Sequence, residues 1–411
     1  MWASLNRLTR TLLLVLAAFL LALALWLILA GGGARSPVTR VGGGVDGGNE
    51  HAPAARVDGI SDQNLAHWDG AAFDVASFSS RPFPNFFRDV WVGGGEGHVS
   101  FARFVVPWDV MAEPRGETLH FDLFAAWLAD VRWLRLTPVV AVEQAESTTR
   151  AEGADLGRIP ASAESYRAYV AAVLRFAASA GEPIRYLEAW NEPNNTGTGP
   201  VEEGHPSAAR AAEFMNVASS LCAERGCTPI AGDFLDSQYQ RPGHEEVKER
   251  TRGGPTGGDS TSVPSAGMGV AYEREYLAHL TPPYPLNWGF HPYAAVKYRT
   301  TQTIADFERA LPSQDVAVWF TEVGAYLCQG AHASTQSEQA DGVRYLDGLI
   351  DPALKVTHAF YYELKAETRE QETSCSGPGG ADTSVYGSRD QARPAAQAVF
   401  GRAIPTPSPT R

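Results

Sequence analysis

The chain has 411 residues, of which 44% are hydrophobic and 10% aromatic, so it can bury a substantial core. This composition excludes a disordered or fibrous protein. The 47 acidic residues outnumber the 34 lysines and arginines and give a net charge of −13, which repels a polyanion and therefore argues against a nucleic-acid partner.

The first 55 residues predict membrane attachment. Residues 11–30 form an uncharged apolar run of about the length that a helix needs to cross a bilayer, and Arg7 and Arg10 precede it. Residues 1–10 are therefore expected in the cytoplasm and the bulk of the chain outside, with the Gly-rich residues 31–55 as a flexible tether. We favour an uncleaved single-pass signal-anchor over a cleaved signal peptide, which would release a secreted protein, because the run exceeds a typical signal-peptide core.

From Arg56 onward, short apolar or β-branched runs alternate with longer stretches of helical periodicity. Eight runs suit a closed sheet, so residues 56–404 are predicted to form one α/β domain, a (β/α)8 TIM barrel, followed by a disordered tail at 405–411. The runs are 56–60, 99–106, 137–142, 184–190, 228–233, 286–290, 316–321 and 356–362.

The clearest helix is predicted at 163–180, where Ser162 is suited to cap the start and Gly181 to end it. Similar apolar stripes predict helices at 121–134 and 208–221. Segments 235–269 and 367–389 are rich in Gly, Pro, Ser and charged residues and are predicted to be long loops. Because each follows a strand, both loops are expected on the face of the barrel where substrates bind.

Four cysteines allow three disulfide pairings. In an exported chain the economical choice is Cys222 with Cys227 and Cys328 with Cys375, because each pair closes without threading the other. A zinc site is disfavoured, since the cysteines lack the C-x-x-C spacing and have no histidine at ligand spacing.

Two glutamates follow predicted strands. In the segment 184–195, IRYLEAWNEPNN, a strand-like run is broken by Asn-Glu-Pro-Asn, which places Glu192 at the carboxyl end of the fourth strand. In VAVWFTEVGAY, Glu322 ends the seventh strand in the same way. Closure of the sheet would turn both carboxyls toward one pocket. Such a pair suits glycoside hydrolysis, in which one carboxyl donates a proton and the other attacks or activates water.

The motifs W-N-E-P-N at 190–194 and T-E-V-G at 321–324 resemble those of the retaining (β/α)8-barrel glycoside hydrolases of clan A. The resemblance implies that Glu192 is the acid/base and Glu322 the nucleophile, and that no metal or other cofactor is needed. It also implies that Asn191 binds the 2-hydroxyl of the sugar.

The same resemblance extends to three other positions. In FHPY after the sixth strand, it implies that His291 lies beside the sugar and Tyr293 against the nucleophile. It further implies that Arg103, on the second strand, pairs with the nucleophile and keeps it ionised.

Several other residues are substrate-binding candidates by position. Trp108 follows the second strand and is a candidate for stacking on a sugar face. The clan often has a Trp at the end of the eighth strand, where this chain offers Tyr361 or Tyr362. Asp233 and Asp236, near the end of the fifth strand, are candidates for binding sugar hydroxyls on position alone.

The sequence thus predicts an extracytoplasmic, membrane-anchored glycosidase that cleaves O-glycosidic bonds, β-linked ones by preference, in an oligosaccharide or polysaccharide. An alternative is a membrane-tethered carbohydrate-binding barrel without turnover, which would need no matched pair of glutamates. A metal-dependent hydrolase ranks last, because the chain contains neither H-x-H nor H-E-x-x-H.

Overall fold

Eight parallel strands form a closed barrel. The computed structural model describes residues 57–62, 99–112, 120–145, 157–239, 268–313, 315–329, 332–364, 366, 381–388 and 391–400. The barrel strands are β1 Gly59–Ser61, β2 Phe101–Pro107, β3 Thr137–Glu143, β4 Tyr186–Glu188, β5 Thr228–Leu235, β6 Asn287–His291, β7 Ala317–Val323 and β8 Val356–Tyr361. Each strand pairs with the next along the chain, and β8 closes on β1. The predicted barrel and its eight strands are confirmed.

Helices follow most of the strands. They are α1 His120–Leu134, α2 Ala163–Ser179, α3 Ala208–Arg225, α4 Met268–His279, α5 Tyr293–Tyr298, α6 Gln302–Ala310, α7 Gln336–Leu349 and α8 Pro394–Phe400. The three predicted helices are confirmed as α1, α2 and α3. The Ser162 side chain accepts a hydrogen bond from the Ser165 N–H at the start of α2, and Gly181, with φ 83°, follows its end, as predicted.

The barrel interior is packed with side chains rather than open. Val139, Ile230 and Trp319, from the first halves of β3, β5 and β7, form a buried cluster with Phe360 of β8. A larger apolar layer lies between the strands and the surrounding helices. The inner cluster fills the barrel interior near the amino ends of the strands. The polar side chains that point into the barrel therefore lie at the carboxyl ends of the strands.

One predicted disulfide lies within the described residues. Cys222 of α3 is bonded to Cys227, which joins the end of that helix to the start of β5. Cys328 is also disulfide-bonded, whereas Cys375 lies outside the described residues. The two-residue strand Cys328–Gln329, shortly after β7, pairs with His332–Ala333 and Ala381–Asp382 in an antiparallel sheet.

Several predictions concern residues that the structure does not describe. They are the N-terminus at 1–10, the membrane segment at 11–30, the tether at 31–55, the tail at 405–411 and most of the loops at 235–269 and 367–389. Within the described part of the chain, no helix has the length and apolar character needed to cross a bilayer.

Candidate active site

The backbone after β4 is fixed by aromatic packing. Trp190 packs against Phe214 of α3 and Tyr166 of α2, with ring centroids 5.1 and 6.5 Å apart. The Tyr166 hydroxyl also donates a hydrogen bond of 2.6 Å to the Ala189 carbonyl. With Trp190 anchored, the chain turns at Glu192, whose φ is 44°, and the carboxyl reaches the top of the barrel.

Two asparagines hold the turn that carries Glu192. The Asn194 amide bonds to both backbone groups of Leu235 at 2.9 Å, which ties this loop to the end of β5. Asn195 Nδ2 donates to Glu192 Oε2 at 2.8 Å, while Asn195 Oδ1 accepts from the Gly197 N–H at 3.0 Å. The Gly197 bond sets the orientation of the Asn195 amide, so the end facing Glu192 is a donor.

Glu322, on β7, is buried to 8% exposure, and each of its carboxylate oxygens has a donor. Arg103 Nη1 donates to Oε2 and the Tyr293 hydroxyl to Oε1, both at 2.8 Å. Burial raises the pKa of the Tyr293 hydroxyl and the Glu322 carboxylate raises it further, so Tyr293 remains a donor. The carboxylate plane of Glu322 is thereby fixed.

Asp236 positions Tyr293 through the start of α5. Its two carboxylate oxygens accept the Ala294 and Ala295 N–H groups at 2.8 Å each, which satisfies donors at the first turn of the helix. Burial raises the pKa of Asp236 to about 7, although these bonds oppose the rise. Asp236 is therefore a helix cap, and the expectation that it binds sugar hydroxyls is not supported.

Arg103 is the centre of the polar network. Its guanidinium is fully buried and donates to side chains from four parts of the barrel wall. The acceptors are Ser61 Oγ at 3.0 Å and, at 2.8 Å each, Glu188 Oε2, Asn191 Oδ1, Asp233 Oδ2 and Glu322 Oε2. Such a buried cation requires this degree of pairing, because an unpaired charge is costly in the interior.

His291, the last residue of β6, lies between two carboxyls. Its Nδ1 is 3.0 Å from Glu192 Oε1, and its Nε2 is 3.0 Å from Asp233 Oδ1. Burial alone would lower the pKa of the imidazole. The Asp233 and Glu322 carboxylates outweigh burial, and together with the hydrogen bonds they raise the pKa of His291 to about 10.

Oxygens of Glu192 and Glu322 and a ring nitrogen of His291 lie within 4.8 Å of one another. Three such groups resemble a metal-ligand set, but a ligating imidazole must be unprotonated at the ligating nitrogen. The raised pKa of His291 and its two carboxyl partners favour an imidazolium instead. The arrangement suits acid–base chemistry between two carboxyls better than a metal centre.

Comparison with known proteins identifies the fold. No family model and no curated protein sequence matches the chain. A GH5_18 glycoside hydrolase from Bifidobacterium longum subsp. longum aligns over 84% of this chain and 78% of its own, with 12% identity and a TM-score of 0.52. GH10 from Paenibacillus barcinonensis aligns over 84% and 94%, with 12% identity and a TM-score of 0.50. The chain has the fold of the clan A glycoside hydrolases.

A third similar solved structure is longer than this chain. The chain spans 63% of the length of a family 39 glycoside hydrolase from Bacteroides cellulosilyticus, with 85% of this chain aligned, 13% identity and a TM-score of 0.48. The two structures with TM-scores of 0.50 and 0.52 confirm the predicted resemblance to the clan at the level of the fold.

The structure brings most of the predicted site residues into one cluster. Its members are Arg103, Asn191, Glu192, His291, Tyr293 and Glu322. Trp108 lies elsewhere: it is 2% exposed and packs edge-on against Tyr169 of α2, with centroids 4.9 Å apart. Stacking of Trp108 on a sugar is therefore not supported, because its ring belongs to the layer between strands and helices.

The two tyrosines at the end of β8 have different environments. Tyr361 is fully buried and donates a hydrogen bond of 2.9 Å to the Thr383 carbonyl, so it is a core residue. Tyr362 is partly exposed, and it is close enough to Tyr293 that an ionised Tyr362 would raise the pKa of the Tyr293 hydroxyl. Of the two candidates for the position of the clan's Trp, only Tyr362 can contact a ligand.

Asp233 was predicted on position alone to bind sugar hydroxyls, and the structure gives it a different environment. It bonds to both Arg103 and His291, so it belongs to the network and not to the loop surface. Asn195 contacts Glu192 and Ser61 contacts Arg103, and the sequence analysis predicted neither. The available signals were the third Asn of N-E-P-N-N and an Asp at a strand end, and neither is specific.

Proposed function

We propose that the protein is a retaining glycoside hydrolase in which Glu322 is the nucleophile and Glu192 the acid/base. The observation that carries this proposal is that carboxylate oxygens of the two glutamates lie within 4.8 Å of each other. Retaining enzymes hold their carboxyls about 5 to 5.5 Å apart, whereas inverting enzymes need about 6.5 Å or more to admit a water. The short separation supports direct attack by Glu322.

In the first step, a Glu322 oxygen attacks the anomeric carbon while the bond from that carbon to the departing oxygen breaks. Glu192 transfers its proton to that oxygen, so the aglycone leaves as an alcohol. The donors Arg103 and Tyr293 support this assignment, since each binds one oxygen of Glu322 and together they orient its carboxyl group.

In the second step, Glu192, now ionised, takes a proton from water, and the hydroxide formed attacks the anomeric carbon. The ester bond to Glu322 breaks, and the nucleophile returns to its carboxylate form. Asn191 accepts from Arg103 through Oδ1, which leaves Nδ2 as the donor for the sugar 2-hydroxyl. Tyr362 is proposed to contact the same sugar.

The proposed substrate is an oligosaccharide or polysaccharide with a β-glycosidic bond, outside the cytoplasm. The location rests on the apolar segment at 11–30, which we propose to be a single-pass signal-anchor. A carbohydrate-binding barrel without turnover is the rival function. The paired environment of Glu192 and Glu322 favours the enzyme, because binding alone requires no nucleophile held by two donors.

The test is covalent trapping by a panel of 2-deoxy-2-fluoro glycosides with good leaving groups. Intact mass and peptide mapping are expected to locate one sugar adduct on Glu322. Glu322→Gln is expected to form no adduct and to have no measurable turnover. Glu192→Gln is the matched control: it is expected to form the adduct at Glu322, because a good leaving group needs no acid.

An adduct on another residue, or unchanged turnover in Glu322→Gln, would contradict the assignment. Oligosaccharide binding without any adduct would instead support the non-catalytic barrel. The sugar of the probe that reacts fastest would identify the preferred glycoside.

A further inference from the structure

Asp233 joins the two cations of the site. Its Oδ2 accepts from Arg103 Nη2 at 2.8 Å, and its Oδ1 lies 3.0 Å from His291 Nε2. The Thr321 hydroxyl also donates to Oδ1. Asp233 is 1% exposed, so these donors, and not water, satisfy its carboxylate.

The backbone around Asp233 is shaped to place this carboxylate. Asp233 and Gly232 both have positive φ values, 62° and 83°, in a bulge of β5 opposite β6. A Cβ on Gly289 of β6 would lie 2.7 Å from Asp233 Oδ1 and 2.9 Å from the Thr321 hydroxyl. The neighbouring strand therefore has space for the Asp233 carboxylate only because residue 289 lacks a side chain.

The hydrogen bonds of Asp233 determine the protonation state of His291 Nε2. Because Asp233 already accepts from Arg103 and Thr321 as a carboxylate, His291 Nε2 must carry a proton and donate to it. The other nitrogen, Nδ1, faces Glu192 Oε1. If Nδ1 also carries a proton, it donates to Oε1; if Nδ1 is unprotonated, it accepts the proton of Glu192.

The charges around the ring favour a proton on both nitrogens. Among the described residues, the ionisable groups next to His291 or Asp233 are Arg103, Glu188, Glu192, Asp236, Tyr276, Tyr293 and Glu322. Burial raises the pKa of Glu188 well above its usual range, whereas Arg103 and His291 hold that of Asp233 below it despite burial. Tyr293, edge-on to the His291 ring, remains protonated. Asp233 is thus the ionised carboxylate next to the imidazole.

We propose that Asp233 is a positioning residue that keeps His291 doubly protonated and so directs the acid proton of Glu192 to Oε2. With an imidazolium, both oxygens of Glu192 face a donor: the charged Nδ1–H at Oε1 and the neutral amide of Asn195 at Oε2. The charged donor favours the carbonyl oxygen, so the proton of the acid form lies on Oε2, whose remaining lone pair still accepts from Asn195. A neutral ring would instead hold that proton in a hydrogen bond between Oε1 and Nδ1, and would compete for it with the departing oxygen. This inference rests on the proposed acid/base role of Glu192.

The first measurement is a pH titration of the full-length chain labelled with nitrogen-15 histidine. The signal of His291 is identified among the 10 histidines by its loss in His291→Gln. In the wild type we expect a doubly protonated ring at about pH 8, where an ordinary histidine is neutral. In Asp233→Asn we expect the titration midpoint to fall by about 1 to 3 pH units, the usual effect of one adjacent charge.

The second measurement compares aryl glycosides with poor and good leaving groups at about pH 8. Asp233→Asn is expected to lose about 10²- to 10⁴-fold in kcat/KM with a phenyl glycoside, the usual contribution of general acid catalysis, and less than about 10-fold with a dinitrophenyl glycoside. Asp341→Asn is the control for the loss of one carboxylate. Asp341 lies on α7 in an exposed pair with Arg344, so the wild-type leaving-group ratio and His291 signal are expected.

Two results would overturn the proposal. One is a wild-type His291 that titrates near the ordinary histidine value, a result that does not depend on the folding of any variant. The other is an equal loss with both leaving groups in Asp233→Asn. If His291 titrates as expected but the wild type neither hydrolyses a glycoside nor forms an adduct at Glu322, the proposed function is overturned, and the acid-proton role with it.

Discussion

The hydroxyl of Tyr293 is half of the support for Glu322. It donates to Oε1 at 2.8 Å, opposite the bond from Arg103 to Oε2. Tyr293→Phe removes this donor with little change in shape. Since a hydrogen bond to a charged group contributes about 1.5 to 3 kcal/mol, kcat/KM is expected to fall roughly 10- to 100-fold.

Tyr326→Phe is the control for Tyr293→Phe. The Tyr326 ring packs 5.5 Å from that of Tyr293, and its hydroxyl makes no hydrogen bond to Glu322 in the described part of the chain. Steady-state kinetics on one aryl glycoside are expected to separate the two variants. Equal losses would mean that packing around Tyr293, and not its hydroxyl, supports the nucleophile.

Whether a site residue could be placed from the sequence depended on whether it lies in a recognisable sequence motif. Glu192 and Glu322 follow apolar strands, and His291 and Tyr293 lie in a short pattern that also ends a strand, so the sequence placed all four at one rim. Asp233 lies in a bulge with positive φ, a conformation that the letters GDF do not indicate. Its role depends on neighbours from other strands.

Trp108, in contrast, was predicted to contact the sugar but lies outside the site. It follows β2 directly, but side chains alternate along a strand, and the residue after the end can face the helices as easily as the pocket. Contact with Tyr169 of α2 decided the direction. The distance of a residue from the end of its strand therefore predicted its height along the barrel axis. It did not predict whether the side chain faces the pocket or the surrounding helices.

At the level of elements, the strands were predictable because they are short apolar runs with turn residues between them. The connection from β6 to β7 was not: it holds α5 and α6, and α5 has only six residues, too few for a periodic pattern. The start of α5 depends on Asp236, from the end of another strand. Long-range capping of this kind is not visible in local sequence.

The cap of α2 gives a prediction at this scale. Ser162 Oγ accepts the Ser165 N–H at 3.1 Å, so Ser162→Ala leaves a donor at the first turn without its partner. The free energy of unfolding is expected to fall by about 1 kcal/mol, measured by urea denaturation.

Ser179→Ala, at the other end of the same helix, is the matched control for Ser162→Ala. The Ser179 hydroxyl only donates to the Phe176 carbonyl and is exposed, so the change in unfolding free energy is expected to stay within about 0.5 kcal/mol. An equal loss in both variants would indicate that side-chain capping does not stabilise α2.

For the whole molecule, the proposed anchor predicts where the enzyme is found in the cell. The full chain is expected to sediment with membranes and to resist extraction at alkaline pH, because the segment at 11–30 is long enough to span the bilayer. A variant lacking residues 11–30 is expected in the soluble fraction. Release into the medium of a shortened chain with a new N-terminus would instead indicate a cleaved signal peptide.

The sequence positions of the Arg103 partners determine at which stage of protein synthesis the site can form. Ser61 lies 42 residues before it in the sequence, whereas Asn191, Asp233 and Glu322 lie 88, 130 and 219 residues after it. A growing chain that ends before β7 has the guanidinium but not the nucleophile that it holds. The proposed centre therefore assembles only after most of the polypeptide has been made, and prematurely terminated products are inert.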